Sequence, residues 1–410
     1  MSPYRYALSI TSQFPFCSIP FRLDSFSSCQ FACRYCFAAA RGGYTGQRKI
    51  QTADPSALER RLNRLSSAEA SPRSVIDELL AARVPLHFGG MSDPFMAKER
   101  TSRVTLQYLK ILQKHRYPTV LSTKSDLCSE EPYIGLLRDG NFIVQLSLST
   151  IDDDLGRRLD LGAPLPSQRI RVVEKLAAAG VPTMCRIQPL IPSREEDAFD
   201  VVDAALGAGA KHVSVEHLKL PIESRPQTVN RMSAIIGVDL RSQYSSAGAQ
   251  RIGREWILPV GHRLQRVLEL RERTWKQGAT FGAADCDLLP LSDGNSCCSG
   301  IDLHGMQSPY RFTFTQAIKK AKRGRIEFAS IEKEWRPRGS IGQFVNSNSR
   351  IARAPVEEYI REAWNGRPNS LSPVSFHGVS ASGDFDEGGL SIYAMSAPMQ
   401  RLIKARARNA

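Results

Sequence analysis

From residue 21 to about residue 220, short apolar runs alternate with amphipathic stretches. FRLDSF (21–26), VPLHFGG (84–90), PTVLSTK (118–124), NFIVQLSLST (141–150), VPTMCRIQPL (181–190) and AKHVSVEHLKL (210–220) are short and apolar. That length and composition predict six strands. Between them lie helix-like segments. One puts Val104, Tyr108, Ile111 and Leu112 on a single stripe and ends before Pro118. Another is bounded by Ser167 as N-cap candidate and Gly180 at its C-terminal end. Strands alternating with helices predict parallel βα units and an α/β fold. Beyond residue 300 the alternation fades, and LSPVSFHGVSASGDFDEGGLS (371–391) reads as loop or disorder. The expected organisation is an N-terminal extension over 1–20, a βα domain over 21–235, completing helices and a cysteine-bearing stretch over 236–310, and a basic, partly flexible region over 311–410.

Composition adds charge to this picture. Lysine and arginine total 55 against 41 acids, a formal net charge of +14, which favours an anionic partner such as nucleic acid. No run of about 18 apolar residues is present, which argues against a membrane-spanning helix. The first residues, MSPYRYALSITSQF, lack the pattern of a secretory signal. Nine unevenly spaced cysteines then point to reduced thiols or metal ligands in a cytoplasmic protein.

The chemistry concentrates in SSCQFACRYCFAAARGG, where Cys29, Cys33 and Cys36 have the spacing C-x3-C-x2-C. Three thiolates within eight residues can converge on one side of a tight loop, and thiolates suit iron–sulfur clusters and zinc. Zinc wants a fourth ligand, and no Cys or His lies nearby in sequence. A cubane cluster held by three thiolates leaves one iron open for a small molecule. Tyr35 and Phe37 would shield it from water.

This spacing, with an aromatic before the third cysteine, resembles the radical S-adenosylmethionine (SAM) superfamily. The resemblance implies that Cys29, Cys33 and Cys36 hold a [4Fe-4S] cluster whose fourth iron takes the amine and carboxylate of SAM. It also implies an external one-electron reductant of the flavodoxin or ferredoxin type. Reductive cleavage of the cofactor then gives a 5′-deoxyadenosyl radical that abstracts hydrogen, while the protein aims it and excludes water. The six βα units match the superfamily's partial (β/α)6 barrel of TIM type, with the site at the carboxyl ends of the strands. Gly89, Gly90, Met91, Ser92 and Asp93 fall where the superfamily holds the methionine amine, although a βα turn with a capping aspartate reads the same way. Ser147 and Ser149 alternate on one strand and share a face, placing them as ribose or carboxylate contacts or as turn formers. Lys124 and Arg186 are candidate carboxylate partners, or partners of a structural acid.

Three stretches narrow the resemblance to the spore photoproduct lyase-like group, also called DNA repair photolyases. These are HFGGMSDPF, LSTKSDL and DLGRRLDLGAPLPSQRIRVVEKLAAAGVPTMCRIQPLIPS, which set Arg158, Asp160, Arg169, Pro189 and Pro192 on group positions. Spore photoproduct lyase uses a cysteine hydrogen donor soon after the cluster loop. Here no cysteine lies between Cys36 and Cys128, which argues against that repair reaction. Cys128 and Cys185 are the remaining catalytic candidates, and buried small hydrophobes are the simpler reading of both.

A second group, Cys286, Cys297 and Cys298, lies in a turn-rich stretch, with His304 as a further ligand candidate. A second iron–sulfur cluster, zinc, or buried redox-active thiols all fit it. RFTFTQAIKKAKRGR (311–325) has six basic residues and no acid. Lys319, Lys320, Lys322, Arg323 and Arg325, with Phe312 and Phe314 upstream, are candidate contacts for phosphates and stacked bases; a solvated helix face is the plainer reading. The histidines at 87, 115, 212, 217, 262 and 377 show no metal-ligand spacing. The expectation is a radical SAM enzyme abstracting hydrogen from a nucleic acid or nucleotide. Its rivals are the same chemistry on a peptide or small metabolite, and a non-catalytic iron–sulfur module that binds nucleic acid.

Overall fold

The computed structural model describes residues 3–40, 44–45, 49–67, 71–221, 226–253, 255–295, 297–342, 354–367 and 372–405. Arg41 to Gly43 of the cysteine segment, Leu371 and the final five residues of the basic tail lie outside the described residues.

Eight strands form the main sheet in chain order: β1 (Leu8–Ile10), β2 (Phe21–Leu23), β3 (Leu86–Phe88), β4 (Thr119–Thr123), β5 (Phe142–Ser147), β6 (Thr183–Leu190), β7 (His212–His217) and β8 (Thr280–Ala283). β4 to β7 pair in parallel, with Ser122 opposite Gln145 and Ser147 opposite Arg186. The order does not close on itself, as expected of a partial barrel. The six expected strands are all present, and β1 and β8 are additional.

The chain divides into two compact units, each discontinuous in sequence. The first comprises Met1–Ala7, Leu23–Pro55 and His87–Phe281. Its β5 and β7 are buried almost throughout, which is why their sequences read as continuous apolar runs. Helix α1 (Val104–Lys114) buries the stripe expected of it, together with Leu109. Helix α2 (Asp153–Leu159) is capped by Asp152, whose carboxylate accepts from the amides of Asp154 and Leu155. Helix α3 (Pro166–Ala178) starts one residue before the expected cap, because Pro166 sits in its first turn and presets the dihedral there. Ser167 is instead held by Asp153, which accepts from its amide at 2.9 Å and its hydroxyl at 2.7 Å. Gly180 ends that segment with φ +79°, as expected.

The second unit comprises Leu8–Arg22, Ser56–Leu86 and Gly282–Ala410. An aromatic cluster forms its centre. Trp364, fully buried, packs edge-on against Phe314, Phe328 and Tyr393 at centroid distances of 5.4, 5.3 and 5.3 Å. Phe16 meets Phe314 at 5.5 Å, and Phe312 meets Phe328 at 5.4 Å. Helix α4 (Val356–Trp364) contributes the tryptophan, whose Nε1 donates to the Ser391 carbonyl at 2.7 Å. A three-stranded antiparallel sheet accompanies the cluster, in the order β9 (Arg325–Ile326), β11 (Ser391–Met395), β10 (Val379–Phe385).

Two expectations are corrected here. The segment expected to be loop or disorder carries β10 and the start of β11. Every residue of β10 after Val379 is exposed, so no apolar alternation marks it in the sequence. Phe312 and Phe314, expected to stack on bases, are fully buried in the aromatic core.

Candidate functional site

In the first unit, the cysteine loop packs on an apolar floor. Phe26, Phe31 and Met96 form a buried cluster against which Cys29 and Cys33 rest. The amide of Gln30 donates to the Met96 sulfur at 3.3 Å, and the amide of Cys36 donates to the Cys33 carbonyl at 3.2 Å. Burial pushes the Cys29 thiol up to about 12 and raises Cys33 well above its ordinary value. Metal loading would therefore displace protons from these sulfurs.

A buried ionic clamp fixes the loop from outside. Asp160 accepts from Tyr35 Oη and pairs with Arg169 Nη2 at 2.8 Å, with Lys124 Nζ at 4.0 Å. Burial would raise the Asp160 carboxyl, but the charges of Lys124 and Arg169 outweigh it and hold the group at about 2. Arg169 also donates to the carbonyls of Pro164 and Ser147, at 2.8 and 3.0 Å. The amide of Arg34 donates to the Leu159 carbonyl and that of Gly162 to the Phe31 carbonyl. At Gly162 an added Cβ would lie 2.9 Å from the Gln30 carbonyl oxygen, so only glycine permits this approach. Asp160 and Arg169, group positions in the sequence, thus act physically by anchoring Tyr35 between two cysteines.

The Gly89–Asp93 segment is held just as tightly. Gly89 takes φ +92°, and a Cβ there would come within 2.5 Å of the Ser122 carbonyl oxygen. Asp24, at the end of β2, accepts from the amides of Met91 and Ser92 at 2.8 and 3.1 Å. Ser92 Oγ donates to the Phe26 carbonyl. The Asp93 oxygens accept from Phe95 N (2.9 Å), Thr123 Oγ1 (2.8 Å) and Lys124 N (2.7 Å), so this carboxylate ties the segment to the end of β4. Burial raises Asp93 to about 6 despite these donors. Asp24 carries no motif, and only its place at a strand end could have drawn attention to it.

One face of the sheet is polar. His87 Nε2 lies 2.7 Å from Ser122 Oγ, which donates to Gln145 Oε1 at 3.1 Å. Strand alternation and the parallel register put Ser147, Arg186, Gln188, Ser214 and Glu216 on that face as well. Glu216 accepts from Gln188 and Lys219 and lies 3.7 Å from Arg186 Nη2. The Nε of Arg186 is buried with no hydrogen-bond acceptor among the described residues. A parallel strand covered by helices needs no such polar row for packing, which makes this face the candidate ligand-facing side. Ser149 lies beyond β5, its Oγ 3.4 Å from Tyr35 Oη. Glu216 and Gln188 went unread in the sequence because each sits singly in an apolar run.

Cys185 is fully buried on the opposite face, in register with Leu146 and Val213. Cys128 is also fully buried, its Sγ donating to the Ser125 carbonyl at 3.4 Å. Both are packed in the interior as small hydrophobes, and Cys185 faces away from the polar row.

In the second unit, Cys297 and Cys298 come together, with 3.8 Å between sulfurs, and Cys286 accepts from Gln13 Nε2 at 3.7 Å. His304 closes a short 3₁₀ turn. The basic run is largely engaged. Lys319 Nζ donates to the carbonyls of Ser292 and Gly294, Lys320 pairs with Glu334, and Arg325 pairs with Glu327 at 2.5 Å. Lys322 and Arg323 are exposed and make no ion pair among the described residues. None of the helices among the described residues is long and apolar enough to cross a membrane.

The donor set suits the cluster and cofactor implied by the sequence. Cys29, Cys33 and Cys36 offer three soft ligands on one half-buried loop, and the Arg186 Nε offers an N–H without an acceptor among the described residues. Among the described residues no three Cys, His, Asp or Glu side chains already form a finished coordination shell, so loading must draw the sulfurs inward.

The chain resembles known proteins in sequence and in fold. The Radical SAM superfamily model matches residues 25–205. Uncharacterized proteins of Mycobacterium tuberculosis and Mycobacterium bovis are 25% identical over 211 residues, half of this chain. The match spans 60% of the length of those relatives. A tyrosine-to-phenylalanine mutant of spore photoproduct lyase superposes with a TM-score of 0.51 at 12% identity, covering 69% of this chain and 80% of that one. SuiB from Streptococcus suis matches at a TM-score of 0.41 and 12% identity, over 67% of this chain and 51% of its own. Residues 25–205 therefore form a domain of the Radical SAM superfamily, and that domain marks the chain as an enzyme.

Proposed function

We propose that this enzyme uses SAM and a [4Fe-4S] cluster held by Cys29, Cys33 and Cys36 to abstract hydrogen from a nucleic acid or nucleotide in the reducing cytoplasm. When bound, cluster and cofactor supply a carbon-centred radical after one electron from a flavodoxin- or ferredoxin-type donor. The chain's own residues do the rest. The Tyr35–Asp160–Arg169 clamp holds the loop and keeps water from it. Arg186, with Ser147 opposite it in register, and Ser149, beside Tyr35, would bind the cofactor's carboxylate or ribose. The observation that carries this reading is the three-cysteine loop clamped beside a polar sheet face with an unsatisfied arginine.

The nucleic acid rests on less. The net charge of +14 and the exposed pair Lys322 and Arg323 support it. Engagement of Lys319, Lys320 and Arg325 within the protein favours a second reading, in which the substrate is a peptide or small metabolite.

Anaerobic incubation of the reconstituted enzyme with SAM and dithionite, with and without DNA or RNA, tests both. Formation of 5′-deoxyadenosine, stimulated by nucleic acid and absent from Cys33→Ala, is the expected result. Formation that nucleic acid leaves unchanged would point to the second reading. In a gel shift, replacing Lys322 and Arg323 by alanine should lower the salt slope of binding by about 2. Absent binding, or binding insensitive to salt, would sink the nucleic-acid assignment.

A further inference from the structure

We infer that the second unit contains a metal site of its own, a mononuclear tetrahedral thiolate centre of the zinc type, whose ligands include Cys17. Cys17 lies 280 residues from Cys297 in sequence, yet their sulfurs stand 3.5 Å apart. Cys297 and Cys298 add a second sulfur–sulfur distance of 3.8 Å. A disulfide would bring two sulfurs to about 2.05 Å. Four thiolates at about 2.3 Å from one zinc ion stand about 3.8 Å apart along the tetrahedron edge, which matches both distances. In a cubane cluster each thiolate binds its own iron, so the sulfurs lie farther apart than one such edge.

Local structure supports a shared ion. Neighbouring cysteines ordinarily point apart, but here the chain turns after Cys297. Gly300 takes φ +60° and its amide donates to the Cys297 carbonyl at 3.0 Å. The amide of Ile19 donates to Cys17 Sγ at 3.3 Å, a bond that favours sulfur as an anion. Gln13 and Cys17 belong to one turn, closed by Cys17 N donating to the Gln13 carbonyl at 2.9 Å. That turn meets the late cysteines twice, Cys17 at Cys297 and the Gln13 side chain at Cys286. Cys286 is therefore the fourth ligand, drawn in as the ion binds. All four residues belong to the second unit, beside an aromatic core. A closed four-thiolate set leaves no position for substrate, so this centre is structural.

The test is metal and sulfide analysis of the full-length Cys33→Ala protein, which removes the radical cluster from the count. About one zinc per chain without acid-labile sulfide is expected. It should fall tenfold or more when Cys17→Ser or Cys297→Ser is added and hold when Cys128→Ser is added. Iron with labile sulfide surviving in Cys33→Ala would overturn the proposal in favour of a second cluster. Zinc undiminished by Cys17→Ser, or a Cys17–Cys297 disulfide found by mass spectrometry, would overturn it as well. Should the serine variants fail to fold, cobalt titration of the Cys33→Ala chain decides the matter. Intense tetrahedral d–d bands with thiolate charge transfer support the site, and a weak octahedral spectrum overturns it.

Discussion

The two cysteine regions solve opposite problems. Cys29, Cys33 and Cys36 come from one loop, and charged groups surround them: Asp160, Arg169 and Lys124, with Tyr35 between. The later group draws on both a turn at Gln13–Cys17 and a stretch some 280 residues on, and its neighbours are amide N–H groups and aromatic rings. A site with one ligand position left open needs polar machinery to receive what binds there. A site that fills every position with sulfur needs only a frame to hold it. The proposed contrast is between a centre that reacts and one that braces.

The largest effect expected is on the loop. Cys33→Ala should reduce 5′-deoxyadenosine to background while leaving the zinc of the second unit in place. Losing both metals together would erase the distinction between the regions. Trp364→Ala should destabilise the second unit by about 3–5 kcal/mol, because a fully buried ring leaves a cavity. Faster amide exchange across β9, β10 and β11, with that of β4 to β7 unchanged, is the expected reading. Asp160→Asn strands the buried Arg169 guanidinium and should cost about 3–5 kcal/mol in the first unit. Here the exchange should quicken in α2 and α3, and iron retention should fall.

A smaller effect is a pH dependence. Asp93 titrates at about 6 when folded, above the ordinary carboxylate value of about 3.9. Between those values the folded chain holds a proton that the unfolded chain has lost. Stability attributable to this group is therefore greatest below about pH 4 and declines as pH rises to about 6, by roughly 2–3 kcal/mol in all. Asp93→Asn should flatten that slope in denaturant titrations. A slope unchanged in the variant would assign the dependence elsewhere. Asp160 works in the other direction, since its contribution is lost only as pH falls below about 4 toward 2.

Much of the first unit was legible because its chemistry is local. Strands buried on both faces announce themselves as apolar runs, and a three-cysteine loop lies within eight residues. Asp160 and Arg169 were visible as motif positions, although their role as a clamp needed the fold. What escaped was nonlocal or unpatterned. Asp24 and Glu216 are single acids in apolar strands, and nothing near them in sequence marks their partners. Cys17 stands alone among residues 1–28, and its companions come near only when the chain ends its long excursion. β10 exposes five small or polar residues and one terminal phenylalanine, so it lacks the alternation by which strands are read. In the aromatic–basic run the fold separates what the sequence joins: Phe312 and Phe314 are core, Lys319 and Lys320 are held by carbonyls and an acid, and Lys322 and Arg323 stay exposed.

The second unit's discontinuity has a consequence for synthesis. Residues 8–22 emerge early from the ribosome, but the segment that completes their unit begins at Gly282. At about 5–20 residues per second, the thiol of Cys17 and the rings of Phe14 and Phe16 wait roughly 15 to 60 s for their partners. During that interval they are open to oxidants, stray metal and chaperones. A nascent chain stalled after residue 281 would preserve that exposure, and there Cys17 should react with an alkylating probe that the finished protein resists.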